Sequence, residues 1–287
     1  CLSSFGICYN LDNLNRLNLE APKTWDDLGR PGFQRGIALA DPTKSGSVAK
    51  AFEMLVQQKI HIQLDKGVSK KEACESGWIE GLNLIQRIGA NARYFTDVSS
   101  KVPHDVAQGN AIAGMCIDFF GRSFNEALKK EDGGSRLKFI SPVGGTSYSV
   151  DPVAVFKGAP NVEVAQEFVN FIFTKEGQML WNARPGTEMG PKIRGLRRLP
   201  VRKDLYQEPY LADMVDGAVM PYAVASEFIY DYDLTGRHFT PLRDIIRAMC
   251  IDSHEEMKSA WAALIDADFP ANATAKFYDV SPVGYDE

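Results

Sequence analysis

A run of small, hydroxyl-bearing residues between an apolar segment and a helical pattern offers hydrogen-bond donors for an anion. Residues 41–47, DPTKSGS, follow the apolar stretch GIALA and precede a segment with apolar side chains at helical spacing. The first N–H groups of a helix have no backbone partner. Together with the hydroxyls of Thr43, Ser45 and Ser47, they could bind an anionic group. The same hydroxyls could instead simply cap the helix.

A nucleotide P-loop is excluded at this position. Its pattern, GxxxxGK[ST], places lysine and a hydroxyl residue directly after the second glycine. Here Lys44 precedes Gly46, and no glycine lies five residues before Gly46. The segment therefore indicates either an anion pocket of another kind or a capped helix.

Two further segments could supply polar groups to a ligand. Ser99 and Ser100 follow a strand-like segment, although a plain capped loop explains them equally well. In MCIDFFGR, residues 115–122, an apolar strand runs into Asp118 and Arg122, and ligands of open α/β sheets bind beyond the carboxyl ends of strands. Arg122 could hold a carboxylate or phosphate with two parallel hydrogen bonds, while Asp118 could accept from an amine or orient Arg122. A structural ion pair that fixes a loop is the alternative.

Signatures of catalysis and of structural metal are weak. The four histidines lie outside any GxSxG, HExxH or cysteine–histidine motif, and the five cysteines show neither CxxC nor zinc spacing. We therefore predict no catalytic residue, no metal ligand and no cofactor. Cys1 could be the lipid-bearing first residue of a lipoprotein, but the polar tether that usually follows such a cysteine is missing.

Composition restricts the partner classes. The chain has 287 residues, 45% of them hydrophobic, and a net charge of −5 with acidic and basic residues interleaved, which argues against a nucleic-acid surface. Its apolar runs are too short to insert into a bilayer, and no signal segment opens the chain. The length predicts one or two domains.

Hydrophobic periodicity predicts alternating strands and helices followed by a mostly helical last third, which is typical of an α/β fold. Residues 10–22 read as a polar connection, and residues 208–232 as helical. The apolar stripe of the helix predicted over 161–182 includes Phe168 and Phe171. The predicted strands lie in residues 3–9, 36–41, 111–121, 137–145 and 151–159, and the main predicted helices in 46–58, 77–90 and 161–182.

Three segments, read together, resemble the extracellular solute-binding proteins of bacterial ABC importers, in the branch related to ferric-iron, thiamine and phosphorylated-compound binders. They are ALADPTKSGS, AIAGMCIDFFGR and SVDPVAVFKGAPNVEVAQEFVNFIFTKEGQMLWN, and the resemblance covers residues 3–205. It implies a type II periplasmic-binding-protein fold: two α/β lobes with mixed sheets flanked by helices, here with a helical C-terminal tail. It also implies a protein without catalysis that closes by a hinge on a ligand between its lobes.

The resemblance, carried over position by position, implies a ligand site. Its ligand would be a small anion-bearing molecule of phosphate or phosphonate type, with Ser45, Ser47 and Arg122 on the anion and Phe119 or Tyr148 on the organic part. Iron-binding members use adjacent tyrosines where this chain has Phe119 and Phe120, so iron held in that manner is not expected. The implied ligand-binding residues are Thr43, Ser45, Gly46, Ser47, Ser99, Ser100, Asp118, Phe119, Arg122, Ser147, Tyr148 and Asp151.

The resemblance also implies a domain division and partners. Residues 1–35 would be the end of lobe one and a crossover, 36–139 lobe two, and 140–287 the return to lobe one plus C-terminal helices. The family has opening βαβ units before the point where this sequence starts. The implied partners are permease subunits, the implied location is periplasmic or extracytoplasmic, and a monomer is expected.

Three alternatives stay open. One is a metal-binding periplasmic protein that does not use the tyrosine pair. Another is an enzyme on a two-lobed scaffold, with Asp118 or a histidine as base on a phosphorylated substrate. A third is a half-built cleft that binds nothing well.

Overall fold

The chain forms two compact units. The computed structural model describes residues 1–129, 131, 133–224 and 228–286. The smaller unit comprises Cys1–Ser4 with Tyr148–Glu227, and the larger one Phe5–Ser147 with Phe228–Glu287. These bounds differ from the predicted segments, because residues 5–35 and the C-terminal helices group with 36–139. The assignment of the segments to lobes stays a prediction.

Strands and helices alternate through the first half of the chain, and the last part is helical, as predicted. The strands are β1 (Leu2–Ser3), β2 (Phe5–Asn10), β3 (Ile37–Ala40), β4 (Ala92–Thr96), β5 (Ala113–Ile117), β6 (Leu137–Ile140) and β7 (Ser149–Val150). The helices are α1 (Leu11–Leu17), α2 (Gly46–Asp65), α3 (Lys70–Ala90), α4 (Lys101–Gln108), α5 (Asp118–Ala127), α6 (Val162–Ile172), α7 (Lys175–Met179), α8 (Tyr210–Asp213), α9 (Pro221–Val224), α10 (Tyr232–Thr235), α11 (Phe239–Ile246), α12 (His254–Asp266) and α13 (Ala271–Phe277).

A five-stranded mixed sheet, in the order β4-β3-β5-β2-β6, lies at the centre of the larger unit. β3 pairs in parallel with β4 and β5, whereas β2 is antiparallel to β5 and β6. Every residue of β3 and β5 is buried, which explains why these strands read as unbroken apolar runs. Because β3, β4, β5 and β6 all run in the same direction, opposite to β2, their carboxyl ends lie along one edge of the sheet.

Two long helices, α2 and α3, pack closely because glycine occupies their contact. A Cβ atom at Gly77 would lie 2.5 Å from the Cα of Ile60, and one at Gly81 would lie 2.9 Å from the Cα of Val56. Only glycine permits this approach. Although α2 and α3 have 20 and 21 residues, neither they nor any other helix in the described ranges is apolar enough to cross a bilayer.

A buried carboxylate fixes the C-terminal segment, the part of the larger unit from Phe228 onward, to α2. Glu53 is fully buried and accepts hydrogen bonds from the hydroxyls of Tyr230 at 2.6 Å and Thr235 at 2.8 Å. Lys50 pairs with its second oxygen at 2.7 Å. A buried charge is tolerated only when it is paired and hydrogen-bonded, so these contacts make the C-terminal segment an integral part of the larger unit.

The smaller unit buries little apolar surface. Its buried cluster consists of Met179, Ala183, Leu205 and Met214, and its ladder joins only the two-residue strands β1 and β7. The helix predicted over 161–182 is confirmed as α6 and α7, but α6 has no buried residue. Phe168 is 59% exposed and Phe171 42% exposed. An apolar helix face thus lies on the surface of this unit, beside a groove of ≈ 500 Å³.

Some predicted elements differ from those observed. Residues 10–22, predicted to be a connection, contain α1, which begins where the side chain of Asn10 accepts a hydrogen bond from the amide of Asn13 at 3.0 Å. The short-range cap outweighs the polar composition of this stretch. The strand predicted over 111–121 ends at Ile117, because α5 begins immediately after it.

Two further predictions are wrong in type or length. No strand occurs in residues 151–159, all of which are described, and exposed side chains such as Phe156 lie there without a neighbouring strand to pair with. The helix predicted over 208–232 is broken into the short helices α8, α9 and α10, and residues 225–227 lie outside the described residues.

Removing one donor to Glu53 tests the anchoring of the C-terminal segment. We expect Tyr230→Phe to lower the free energy of unfolding by about 1.5–3 kcal/mol, because it removes a hydrogen bond to a buried charge. Tyr232→Phe is the matched control, since Tyr232 is 66% exposed. Urea denaturation of both variants measures the difference, and equal losses would contradict the anchoring role.

The exposed face of α6 predicts an unusual response to truncation of aromatic side chains. The double change Phe168→Ser and Phe171→Ser should alter the free energy of unfolding by less than about 1 kcal/mol, as for surface positions. It should also reduce the binding of a hydrophobic fluorescent dye. Met179→Ala, at a buried position, should cost about 2–5 kcal/mol. A large loss in the double variant would show that this face is packed.

Candidate ligand site at the carboxyl edge of the sheet

The structure brings three of the predicted segments to one edge of the five-stranded sheet. β3 lies between β4 and β5 and runs parallel to both, with Ala40 opposite Thr96. The amide of Asp41 donates to the carbonyl of Thr96 at 2.9 Å, which continues the pairing beyond β3. Residues 41–47, 97–100 and 118–122 therefore follow neighbouring strand ends, the position where open α/β sheets bind ligands.

Asp41 organises the loop before α2. One of its carboxylate oxygens accepts hydrogen bonds from the amide and the hydroxyl of Thr43, both at 2.7 Å. Its carbonyl accepts from the amides of Lys44 at 3.0 Å and Ser45 at 2.9 Å. The hydroxyl proton of Thr43 is thus directed to Asp41, so Thr43 can donate to an anion only by exchanging this partner.

Ser45 is the N-cap of α2. Its side chain is buried and accepts a hydrogen bond from the amide of Val48 at 3.4 Å. The prediction that a hydroxyl of this segment caps the helix is therefore confirmed for Ser45.

Gly46 and Ser47 carry the open donors of the loop. Among the described residues, their amide N–H groups donate no hydrogen bond. A Cβ atom at Gly46 would meet nothing within 4 Å, so there is open space beside this residue. The two amides and the hydroxyl of Ser47 can therefore serve an anion, which the helix dipole also favours.

Two arginines of the C-terminal segment contact the same loop, and the sequence reasoning missed both. Arg243 donates hydrogen bonds to the carbonyls of Pro42 and Thr43, each at 2.8 Å. Arg247 lies 3.5 Å from the hydroxyl of Thr43 and 3.8 Å from the carboxylate of Asp41. No local motif links these arginines to a loop about 200 residues earlier, because the contact exists only in the folded chain.

Ser99 and Ser100 lie half-buried at the end of β4, in the turn before α4. The carbonyl of Ser99 accepts from the amide of Val102 at 3.3 Å. Ser100 precedes α4, but its hydroxyl does not cap the helix. The position suits a ligand at this edge, and the role of both hydroxyls stays a prediction.

Asp118 and Arg122 form an ion pair inside the first turn of α5. Asp118 is fully buried and accepts from the amide of Phe119 at 2.7 Å and from the guanidinium of Arg122 at 2.9 Å. The structural ion pair that the sequence left open is therefore present. Arg122 is itself about nine-tenths buried, so a ligand can reach only a small part of its side chain. The rings of Phe119 and Phe120 are tilted by 36° to each other, with their centroids 4.3 Å apart.

The remaining predicted residues are divided between the two units. Ser147 belongs to the larger unit and follows Thr146, whose hydroxyl accepts from the amide of Phe5 at 3.1 Å, at the same edge of the sheet. Tyr148 and Asp151 belong to the smaller unit, where Asp151 accepts a hydrogen bond from Arg198 at 2.6 Å. Their participation in one site with the other residues stays a prediction.

Two tyrosines of the larger unit that hydrogen-bond to buried carboxylates have a raised pKa. Burial and a hydrogen bond to Asp105 raise the pKa of Tyr94, and burial and a hydrogen bond to Glu53 raise the pKa of Tyr230.

Within the described part of the chain, no three His, Cys, Asp or Glu side chains are grouped to hold a metal ion. The arrangement at the sheet edge, with amide, hydroxyl and guanidinium donors, is chemically suited to binding an anion.

Comparisons with known proteins agree with this architecture. A family model described as bacterial extracellular solute-binding protein matches residues 2–209. An uncharacterized protein of Haemophilus influenzae is 28% identical over 177 residues, which cover 61% of this chain and 44% of that protein. The phosphoglycerate transport regulatory protein PgtC of Salmonella typhimurium is 24% identical over 179 residues, covering 62% of this chain and 39% of PgtC. The matched region thus spans less than half the length of either relative.

Solved structures show the same fold. The periplasmic binding protein P5PA superposes with a TM-score of 0.63 at 20% identity, covering 87% of this chain and 67% of that one. AfuA of Actinobacillus pleuropneumoniae, with fructose-6-phosphate bound, gives a TM-score of 0.50 at 19% identity and covers 92% of this chain and 67% of its own. The predicted fold class, an α/β periplasmic-binding-protein-like fold with mixed sheets and a helical C-terminal part, is confirmed.

Stability measurements can test whether Ser45, and not Ser47, caps α2. Ser45→Ala should lower the free energy of unfolding by about 1 kcal/mol, because α2 loses its cap. Ser47→Ala should change it by less than about 0.5 kcal/mol, as at other surface positions. Urea denaturation of the two variants measures both values, and a larger loss for Ser47→Ala would reverse the assignment.

Proposed function

We propose a function for this chain from the premise that it belongs to the bacterial extracellular solute-binding proteins. It is the solute-binding component of a bacterial ABC importer, and its ligand is a small molecule with a phosphate or phosphonate group. Hinge closure between lobes, permease subunits as partners and an extracytoplasmic location are parts of the same proposal.

The proposal is supported mainly by the hydrogen-bond donors at the start of α2 that have no partner in the described part of the chain. The amides of Gly46 and Ser47 donate no hydrogen bond among the described residues, and a Cβ atom at Gly46 would meet nothing within 4 Å, whereas the amides of Thr43, Lys44 and Ser45 donate to Asp41. Lys44, which is exposed beside them, adds positive charge. Donors at a helix N-terminus are suited to a phosphate, because the terminal amides and the helix dipole both favour negative charge.

One similar structure and one relative support a phosphorylated molecule as ligand. AfuA binds fructose-6-phosphate in its solved structure, and the Salmonella relative is a regulatory protein of phosphoglycerate transport. Iron coordination of the kind that uses adjacent tyrosines has no counterpart here, since Phe119 and Phe120 offer no oxygen ligand. Within the chain as described, no feature favours the enzyme alternative.

Isothermal titration tests the ligand class. We expect 3-phosphoglycerate or fructose 6-phosphate to bind, and glycerate or fructose to bind at least about tenfold more weakly, because the phosphate supplies the charged hydrogen bonds. Binding of fructose as tightly as fructose 6-phosphate, or of glycerate as tightly as 3-phosphoglycerate, would contradict an anion site. Failure of both phosphate esters to bind would contradict the proposed choice of ligand.

The same titration with variants tests the residues. Ser47→Ala should weaken binding of the phosphate ester about tenfold, because a hydrogen bond to a charged group is lost. Arg122→Lys keeps a positive charge beside Asp118 but removes the planar fork, and we expect weaker binding. Ser259→Ala is the control, since the hydroxyl of Ser259 is exposed and bonds the carbonyl of Glu255. Unchanged affinity in both test variants would overturn the site assignment.

A further inference from the structure

Helix α11 contacts the loop that the proposed anion site uses. We propose that Arg243 is a positioning residue for this site: its guanidinium fixes the backbone that presents the amides of Gly46 and Ser47. The inference rests on the proposed function for its ligand, but the contacts that carry it lie within the larger unit. Arg243 also lies outside the region that matches the family model, residues 2–209.

Two consecutive peptide groups of the loop are held on both sides. The carbonyls of Pro42 and Thr43 accept from two nitrogens of Arg243, each at 2.8 Å. The N–H of the first peptide group, on Thr43, donates to the Asp41 carboxylate at 2.7 Å, and that of the second, on Lys44, donates to the Asp41 carbonyl at 3.0 Å. Because C=O and N–H point in opposite directions in a trans peptide, both planes are fixed between Arg243 and Asp41.

This arrangement determines where the open donors point. Ser45 follows the two fixed peptide groups and caps α2, and its amide donates a hydrogen bond to the carbonyl of Asp41 at 2.9 Å. Gly46, whose position faces open space, then begins the helix. Glycine moves readily between backbone conformations, so an anchor next to it limits the directions in which the two free amides can point. Binding then costs less ordering of the loop.

Arg243 is itself held in place by the fold. α11 follows a segment that the fully buried Glu53 anchors through Tyr230 and Thr235. The guanidinium also lies 5.9 Å from the ring centre of Phe239 on the same helix. The two carbonyl bonds need the planar fork of arginine, because a lysine ammonium lacks two donors at that fixed spacing.

Three variants separate positioning from charge and from stability. Arg243→Gln removes the charge and the fork, Arg243→Lys keeps only the charge, and Arg237→Gln removes an exposed arginine of the same segment that pairs with Asp286. Titration with 3-phosphoglycerate and fructose 6-phosphate should show about tenfold weaker binding for both Arg243 variants and no change for Arg237→Gln. Hydrogen exchange of the ligand-free protein should be faster at residues 43–45 in the Arg243 variants alone.

Each result decides the proposal. Wild-type affinity of Arg243→Lys would show that charge, and not the fork, is what matters, and would overturn it. Unchanged affinity of Arg243→Gln would overturn it as well. If the wild-type protein binds neither phosphate ester, the proposed ligand fails, while exchange at residues 43–45 still reports on Arg243: faster exchange supports its positioning role, and unchanged exchange overturns it.

Discussion

The larger unit depends on satisfying one buried charge. Glu53 lies in the middle of α2 with no access to solvent, and leaving a carboxylate unpaired there would cost several kcal/mol, on the order of 3–5. Lys50 comes from the same helix, but the hydroxyls of Tyr230 and Thr235 come from the far end of the sequence. Residues after 228 are therefore a structural requirement of the sheet-bearing unit, and describing them as a tail would be misleading.

The same constraint connects the fold to the candidate site. α2 is fixed at its centre by the partners of Glu53 and by Gln57, which exchanges two 2.7 Å hydrogen bonds with the backbone of Asp231. It is fixed at its first turn by the cap of Ser45 and by Arg243 behind the preceding loop. The start of α2 is thus held both from the preceding loop and from the body of the helix, and such preorganisation lowers the cost of binding at the site we propose.

Local patterns in the sequence predicted the parts of this architecture that local interactions determine. Strand β3, helix α2 and the loop between them follow from apolar spacing and small polar residues, and the strand-end rule marked the segment of Asp118 as a place for ligand-binding residues. That the loops of Ser99 and Asp118 reach the same edge depends on the strand order, which only the structure shows. The sequence did not show whether the hydroxyl of Ser45 caps α2. The cap depends on the distance from this hydroxyl to the amide of Val48, which only the structure shows, and the role of Ser45 toward a ligand stays a prediction.

Long-range contacts and missing neighbours explain the other failures. Arg243 has no local signature, because its partners lie 200 and 201 positions away in sequence. The strand predicted over 151–159 had a suitable apolar composition, yet a strand needs a partner to pair with, and the structure provides none among the described residues. The apolar stripe of α6 likewise predicted a helix correctly but not whether its side chains would be covered.

The distance in sequence between Arg243 and its loop also has a consequence for the order of folding. Contacts that close about 200 residues of chain form late, because the entropy of closure must be offset by other interactions first. During synthesis from the N-terminus, β3 and α2 emerge long before α11. The loop at residues 41–47 therefore lacks two of its hydrogen bonds until α11 docks, so its contacts form in two stages, the local ones before those from the end of the chain.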